Sequence, residues 1–108
     1  NTEEALALLS ALAHPTRLEA FRLLIRHEPG GLSTGELVEA SGLSQSTFST
    51  HLAVMVKAGL VIAEKRGRQQ IQRATLDPLR GVMVFLPKDC CRGRPELYEP
   101  LLAELTCI

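Results

Sequence analysis

The sequence predicts a mainly α fold of about five to six helices with one β-hairpin, arranged as a winged helix-turn-helix, and three observations carry that prediction. Two short helical patterns meet at Gly42, the second is polar along one face, and a strand-like pair with a basic tip follows it directly. A chain of 108 residues has room for one folding unit of this kind. We read residues 1–108 as a single domain, with 34–75 as the helix-turn-helix and wing and 1–13 and 78–108 as flanking segments.

The first helix is expected over Glu3 to Ala13. Its apolar positions Leu6, Leu9 and Ala13, flanked by Ala5, Leu8 and Leu12, make a face wider than one small domain needs. The four aromatic residues Phe21, Phe48, Phe85 and Tyr98 leave a thin core, so association with a second copy is expected. His14-Pro15 interrupts the helical pattern, since proline restricts the residue before it and suits the first turn of a new helix. A second helix is predicted from Pro15 to Arg26, with Leu18, Phe21 and Ile25 facing inward.

Pro29-Gly30-Gly31 is a loop by composition, and Ser33 or Thr34, with Glu36 close behind, starts a short third helix ending near Ser41. Gly42 supplies a left-handed turn residue and Leu43 fills the corner. Ser44 caps a fourth helix that runs to about Ala58, where Phe48, Leu52 and Met55 form the inward stripe. Gln45, Ser46, Ser49 and Thr50 lie on the opposite face. From Leu60 the pattern turns strand-like through Lys65, passes Arg66-Gly67-Arg68, and continues from Gln69 to Thr75 as a hairpin. A last apolar helix begins at Asp77-Pro78 and ends near Leu86, and a short one is expected within Glu96 to Thr106.

Net charge is zero, yet the charges are segregated along the chain. Residues 44–75 carry Lys57, Lys65, Arg66, Arg68 and Arg73 against Glu64 alone, a local balance of +4, while 1–43 stand at −3 and 76–108 at −1. A polyanion would dock on that basic block. Short side chains at Ser44, Ser46, Thr47, Ser49 and Thr50 would let the fourth helix enter a major groove, and Gln45 can pair with an adenine edge. Lys57, Arg66, Arg68 and Arg73 would contact phosphates or a minor groove, and His51 would either contact a phosphate or pack. A charged hairpin alone is often only a solvated surface, but its order after a polar helix points to DNA. The chain has no phosphate-cradling glycine loop, no nucleophile with an evident base and no Cys-x-x-Cys, so an enzyme is not expected, nor an organic cofactor. No apolar run approaches the roughly 20 residues of a membrane span, and the acidic start Asn1-Thr2-Glu3-Glu4 is unlike a signal peptide. We expect a cytoplasmic protein without membrane contact.

Two segments resemble a known family. Leu12-Ala13-His14-Pro15-Thr16-Arg17-Leu18 is similar to the opening motif of the ArsR/SmtB repressors, and Gly42-Leu43-Ser44-Gln45-Ser46-Thr47-Phe48-Ser49-Thr50-His51-Leu52 to their recognition-helix segment; Lys57-Ala58-Gly59-Leu60-Val61 also matches. The resemblance covers about residues 5–75. It implies a homodimer joined through N- and C-terminal helices, binding operator DNA as a repressor. Thr50 stands where many members carry arginine.

The resemblance also implies release from DNA by a metal or metalloid. The family's Cys-x-Cys site near the third helix is replaced by Leu32-Ser33-Thr34-Gly35-Glu36-Leu37, and the C-terminal zinc site that uses histidine is missing, since no histidine follows His51. Asp89-Cys90-Cys91-Arg92-Gly93-Arg94-Pro95-Glu96-Leu97 instead resembles the tail of the arsenic-responsive members. Trivalent arsenic and antimony are soft and take two or three sulfurs, whereas zinc wants four ligands in a tetrahedron. Lys88, Arg92 and Arg94 would favour the thiolates. Cys90 and Cys91 are therefore the expected ligands of the inducer. Tyr98 stands where such relatives imply a further cysteine, so Cys107 is the remaining thiol for a third position. Two thiols alone would suit methylarsenite, with one valence already on carbon, and three would suit arsenite or antimonite. The alternative is a thiol-based redox-sensing repressor in which these cysteines are oxidised.

Overall fold

The computed structural model describes residues 1–87 and 99–105. Its elements, in chain order, are α1 (Thr2–Leu12), α2 (Pro15–Arg26), β1 (Leu32–Ser33), α3 (Thr34–Ser41), α4 (Gln45–Lys57), β2 (Val61–Arg66), β3 (Gln69–Ala74), α5 (Asp77–Phe85) and α6 (Glu99–Leu105). The winged helix-turn-helix is present, and its wing is a three-stranded antiparallel sheet of order β1-β3-β2. The sequence reading missed β1, because a strand of two residues, Leu32 against Gln72 and Ser33 against Ile71, has no periodicity to detect.

Local chemistry sets the helix boundaries. Asn1 Oδ1 accepts from the Glu4 amide at 2.9 Å to start α1, and His14, extended before Pro15, starts α2 by accepting from the Thr16 amide through Nδ1 at 3.1 Å. Ser33 and Glu36 form a reciprocal capping box on α3. In that box the Ser33 amide, and then its hydroxyl, hold the Glu36 carboxyl below its ordinary range.

The core is one cluster in which Leu8, Leu24, Leu37, Phe48, Met55, Leu60 and Val61 are almost wholly removed from water. Leu52 and Leu43 are half-buried and pack against it, as expected of the inward stripe and the corner. The α2 reading needs correction: Ala20, Phe21 and Leu24 are buried, whereas Leu18 and Ile25 are 41% and 36% exposed. The apolar arc of α2 is wide enough for either set. Packing against α1, α3, α4 and β3 rotates the buried stripe by about one residue relative to the spacing-based choice.

Two glycines have very different surroundings. Gly31 adopts φ +75°, and a Cβ there would lie 2.5 Å from the Gln72 carbonyl oxygen and 2.7 Å from Arg73 Cγ, so the loop can close on β3 only without a side chain. Gly42, at φ +72°, caps α3 with nothing within 4 Å of such a Cβ. Gly42→Ala is expected to cost only the left-handed backbone preference, about 1–2 kcal/mol. Gly31→Ala should cost about 3 kcal/mol or more because strain and overlap add. Denaturant melts of the two variants measure the difference, and equal losses would remove the steric account of Gly31.

Candidate nucleic-acid interface

The turn between α3 and α4 is tied by short polar side chains. Ser41 Oγ donates to the Val38 carbonyl at 2.7 Å and accepts from the Leu43 amide at 3.1 Å, while Ser44 Oγ accepts from the Thr47 amide at 3.2 Å. These contacts fix the angle at which α4 leaves the turn. Phe48 and Met55 then hold its other face in the core, so Gln45, Ser46, Ser49 and Thr50 are necessarily presented outward, and all four are exposed.

The exposed hydroxyls are not equivalent. Ser44 Oγ donates to Thr47 Oγ1 at 2.9 Å, and Thr50 Oγ1 donates back to the Ser46 carbonyl at 3.3 Å. Among the described residues, Gln45 and Ser49 make no side-chain hydrogen bond. These two are free to read base edges, Gln45 with one donor group and one acceptor. Ala53 and Val54, which the sequence reading did not include, continue the exposed strip toward Lys57 and offer apolar contact of the kind a thymine methyl takes.

His51 is half-buried and braces α4 from behind. Its ring lies 4.4 Å from that of His14, centroid to centroid, and its Nδ1 is 3.0 Å from Arg17 Nη1. A guanidinium can only donate, so Nδ1 is the acceptor and the hydrogen sits on Nε2. Arg17 Nε also donates to the Ala11 carbonyl at 2.6 Å, so one side chain joins the end of α1 and the start of α2 to the middle of α4. Sequence reading quoted Arg17 only within a motif; its spacing of 34 residues from His51 carried no hint of contact.

The wing is a ribbon in which Arg66 pairs with Gln69 across the two-residue connection Gly67-Arg68. Its cations divide into two groups. Arg73 donates to Glu64 at 2.8 Å and to Glu28 at 3.2 Å, and Arg66 donates to Glu64 at 2.9 Å and to the Gly30 carbonyl at 3.0 Å. Hydrogen bonds from Arg73, then Arg66, hold the Glu64 carboxyl below its ordinary range, and Glu64, then Glu28, push Arg73 up. Lys65 and Arg68 are exposed and, among the described residues, make no ion pair. The network with Glu28 was invisible in the sequence, where that acid counted toward the N-terminal segment.

Cys90, Cys91 and Cys107 lie outside the described residues, as do Lys88, Arg92, Arg94 and Tyr98. Among the described residues no cluster of three or more His, Cys, Asp or Glu could hold a metal. No helix there is long and apolar enough to cross a membrane.

A helix-turn-helix domain model matches residues 12–62. The chain is 33% identical over 95 residues to a protein of Streptomyces lividans described as a "probable mercury resistance operon repressor", covering 79% of this chain and 73% of that one. A crystal structure of an ArsR family transcriptional regulator shares the fold, with TM-score 0.72 at 23% identity over 87% of this chain and 96% of the other. A solved "possible transcriptional regulator for arsenical resistance" is 29% identical, with TM-score 0.64 over 94% of this chain and 97% of that one.

Burial, then the charges of His14 and Arg17, lowers the His51 pKa from its ordinary 6.5. A depressed imidazole contributes stability that is complete above the unfolded value and lost as pH falls through the folded one. Stability should therefore decline as pH drops below about 6.5. In His51→Asn an amide oxygen can still accept from Arg17 but nothing takes up a proton, so melts between about pH 7 and pH 5 should show a shallower decline. An unchanged acid slope would count against His51 as its source.

Proposed function

The chain belongs to the ArsR/SmtB family of helix-turn-helix transcriptional regulators, a family of DNA-binding proteins and not of enzymes, and we propose that it is a homodimeric repressor released from operator DNA by trivalent arsenic or antimony. The single observation that carries the DNA reading is the outward strip of α4, with Gln45 and Ser49 unengaged among the described residues and a wing beside it. Ser44, Ser46, Thr47, Thr50 and Lys57 shape and flank that strip.

An apolar surface supports the homodimer. Leu6 and Leu9 on α1 and Met83, Val84 and Phe85 on α5 are exposed, and α1 and α5 pack side by side, so the two neighbouring helices leave exposed apolar side chains on the same part of the molecule. Leu6 and Val84 are each 61% exposed. A second copy related by a two-fold axis would cover the face with itself and place two α4 helices on successive major grooves.

For the inducer, support comes from the chemistry of the donor set. Adjacent thiols in a basic stretch, Cys90 and Cys91, suit a soft thiophilic ion, and resistance to such elements is named for two of the similar proteins above. Binding would favour a dimer geometry that no longer fits the operator, and by reciprocity operator DNA would weaken inducer binding by the same factor.

Gln45→Ala should cost about 1–3 kcal/mol at one A·T step of the selected site and relax preference there, leaving other positions unchanged. Selection from a random duplex pool with both proteins reads this directly. Release titrations with arsenite, methylarsenite, antimonite, mercuric ion, zinc and peroxide identify the inducer. Cys90→Ser and Cys91→Ser are expected to abolish release by trivalent arsenic, while Cys107→Ser should retain the response to methylarsenite. Normal release in both Cys90 and Cys91 variants would overturn the assignment, and release by peroxide alone would select the redox-sensing alternative.

A further inference from the structure

We propose that Arg73 is a positioning residue which, clamped by Glu28 and Glu64, aims the wing, and that Lys65 and Arg68 are the wing cations that neutralise DNA phosphates; this rests on the DNA-binding reading above. Segregation of charge along the chain would give Lys65, Arg66, Arg68 and Arg73 the same task. Their surroundings separate them.

The register puts Arg73 opposite Ile62 and Glu64 opposite Ile71, so Arg73 and Glu64 are diagonal neighbours on one face of the ribbon. Lys65 pairs with Gln70 and points to the other face, while Arg68 sits in the connection. Arg73 is 27% exposed, its Nε is buried, and its two terminal nitrogens are each committed to a different carboxylate. A phosphate would have to displace both acids to reach it. Glu28 belongs to the segment between α2 and β1, so the Arg73–Glu28 contact, 3.2 Å, ties the ribbon to the body. Gly31 completes the clamp, because the Arg73 stem occupies the place its side chain would fill. Two arginines against two glutamates leave this network without net charge. The field that reaches a duplex from the wing therefore comes from Lys65 and Arg68.

The two roles differ in salt dependence, since each neutralised phosphate adds about 0.9 to the slope of log affinity against log salt concentration. The experiment uses the full chain and a duplex enriched by it from a random-sequence pool, with affinities measured between about 50 and 200 mM salt. Arg68→Gln and Lys65→Gln should each flatten the slope by about 2 per homodimer. Arg73→Gln should weaken binding about five- to tenfold, with the slope flattened by clearly less than in Arg68→Gln. Glu28→Gln is the sharper variant. It removes an acid, which by simple repulsion would tighten binding to a polyanion, yet a lost clamp weakens it. Should Arg73→Gln fail to fold, Arg73→Lys keeps the charge without the two-pronged geometry and is expected to weaken binding at an unchanged slope.

A slope flattened by Arg73→Gln as much as by Arg68→Gln, or tighter binding by Glu28→Gln, overturns the inference while leaving DNA binding intact. Enrichment of no duplex at all by the unaltered chain overturns the DNA-binding reading, and the inference with it.

Discussion

Burial of the α4 stripe is the constraint on which the rest of the molecule depends. Phe48 and Met55 are wholly removed from water and Leu52 packs beside them, against Leu24 of α2, Leu37 of α3 and Leu60 at the start of the wing. Each fully buried side chain of this size is worth about 1.5–3 kcal/mol. Because a helix has only one opposite side, anchoring this stripe also decides which residues face outward. The rotation of α4 about its axis is set by apolar packing, and Gln45 and Ser49 inherit their exposure from it.

Polar contacts refine that placement at both ends of the interface. Arg17 gathers the Ala11 carbonyl and the His51 ring, so the junction of α1, α2 and α4 is held by one cation and one neutral imidazole. At the wing, Glu28, Glu64, Arg66 and Arg73 brace the ribbon against the segment before β1. Partly buried pairs of this sort bring little net stability, but they fix orientation. A chain of zero net charge can thus present a basic edge to DNA while much of its basic block is internally neutralised.

Function is divided along the chain in a way that suits a regulator. The DNA-reading elements occupy its middle, the unpaired apolar face is built from α1 and α5, and the adjacent thiols follow α5 in sequence. Capture of an inducer by those thiols, as proposed, would act on the chain that follows an element of the proposed dimer face in sequence. It need not touch α4 to alter the spacing of two recognition helices.

Sequence alone determined the elements whose causes are local. Pro15, Ser33 or Thr34 with Glu36 behind it, Gly42 and Ser44 place the helix boundaries within a residue or so, and the apolar spacing of Phe48, Leu52 and Met55 marks the buried side of α4. These are short-range effects of backbone geometry and periodicity, and they need no partner to be read. Only the tertiary structure decided what depends on contacts between distant residues. It turned α2 so that Leu24 and not Ile25 is buried, added β1 to the sheet, set the His14 ring against that of His51, and assigned Arg73 to Glu28 across 45 positions. Periodicity states that a face is apolar or a segment basic, but which neighbour each side chain meets is settled by packing and by the pairing of charges in space.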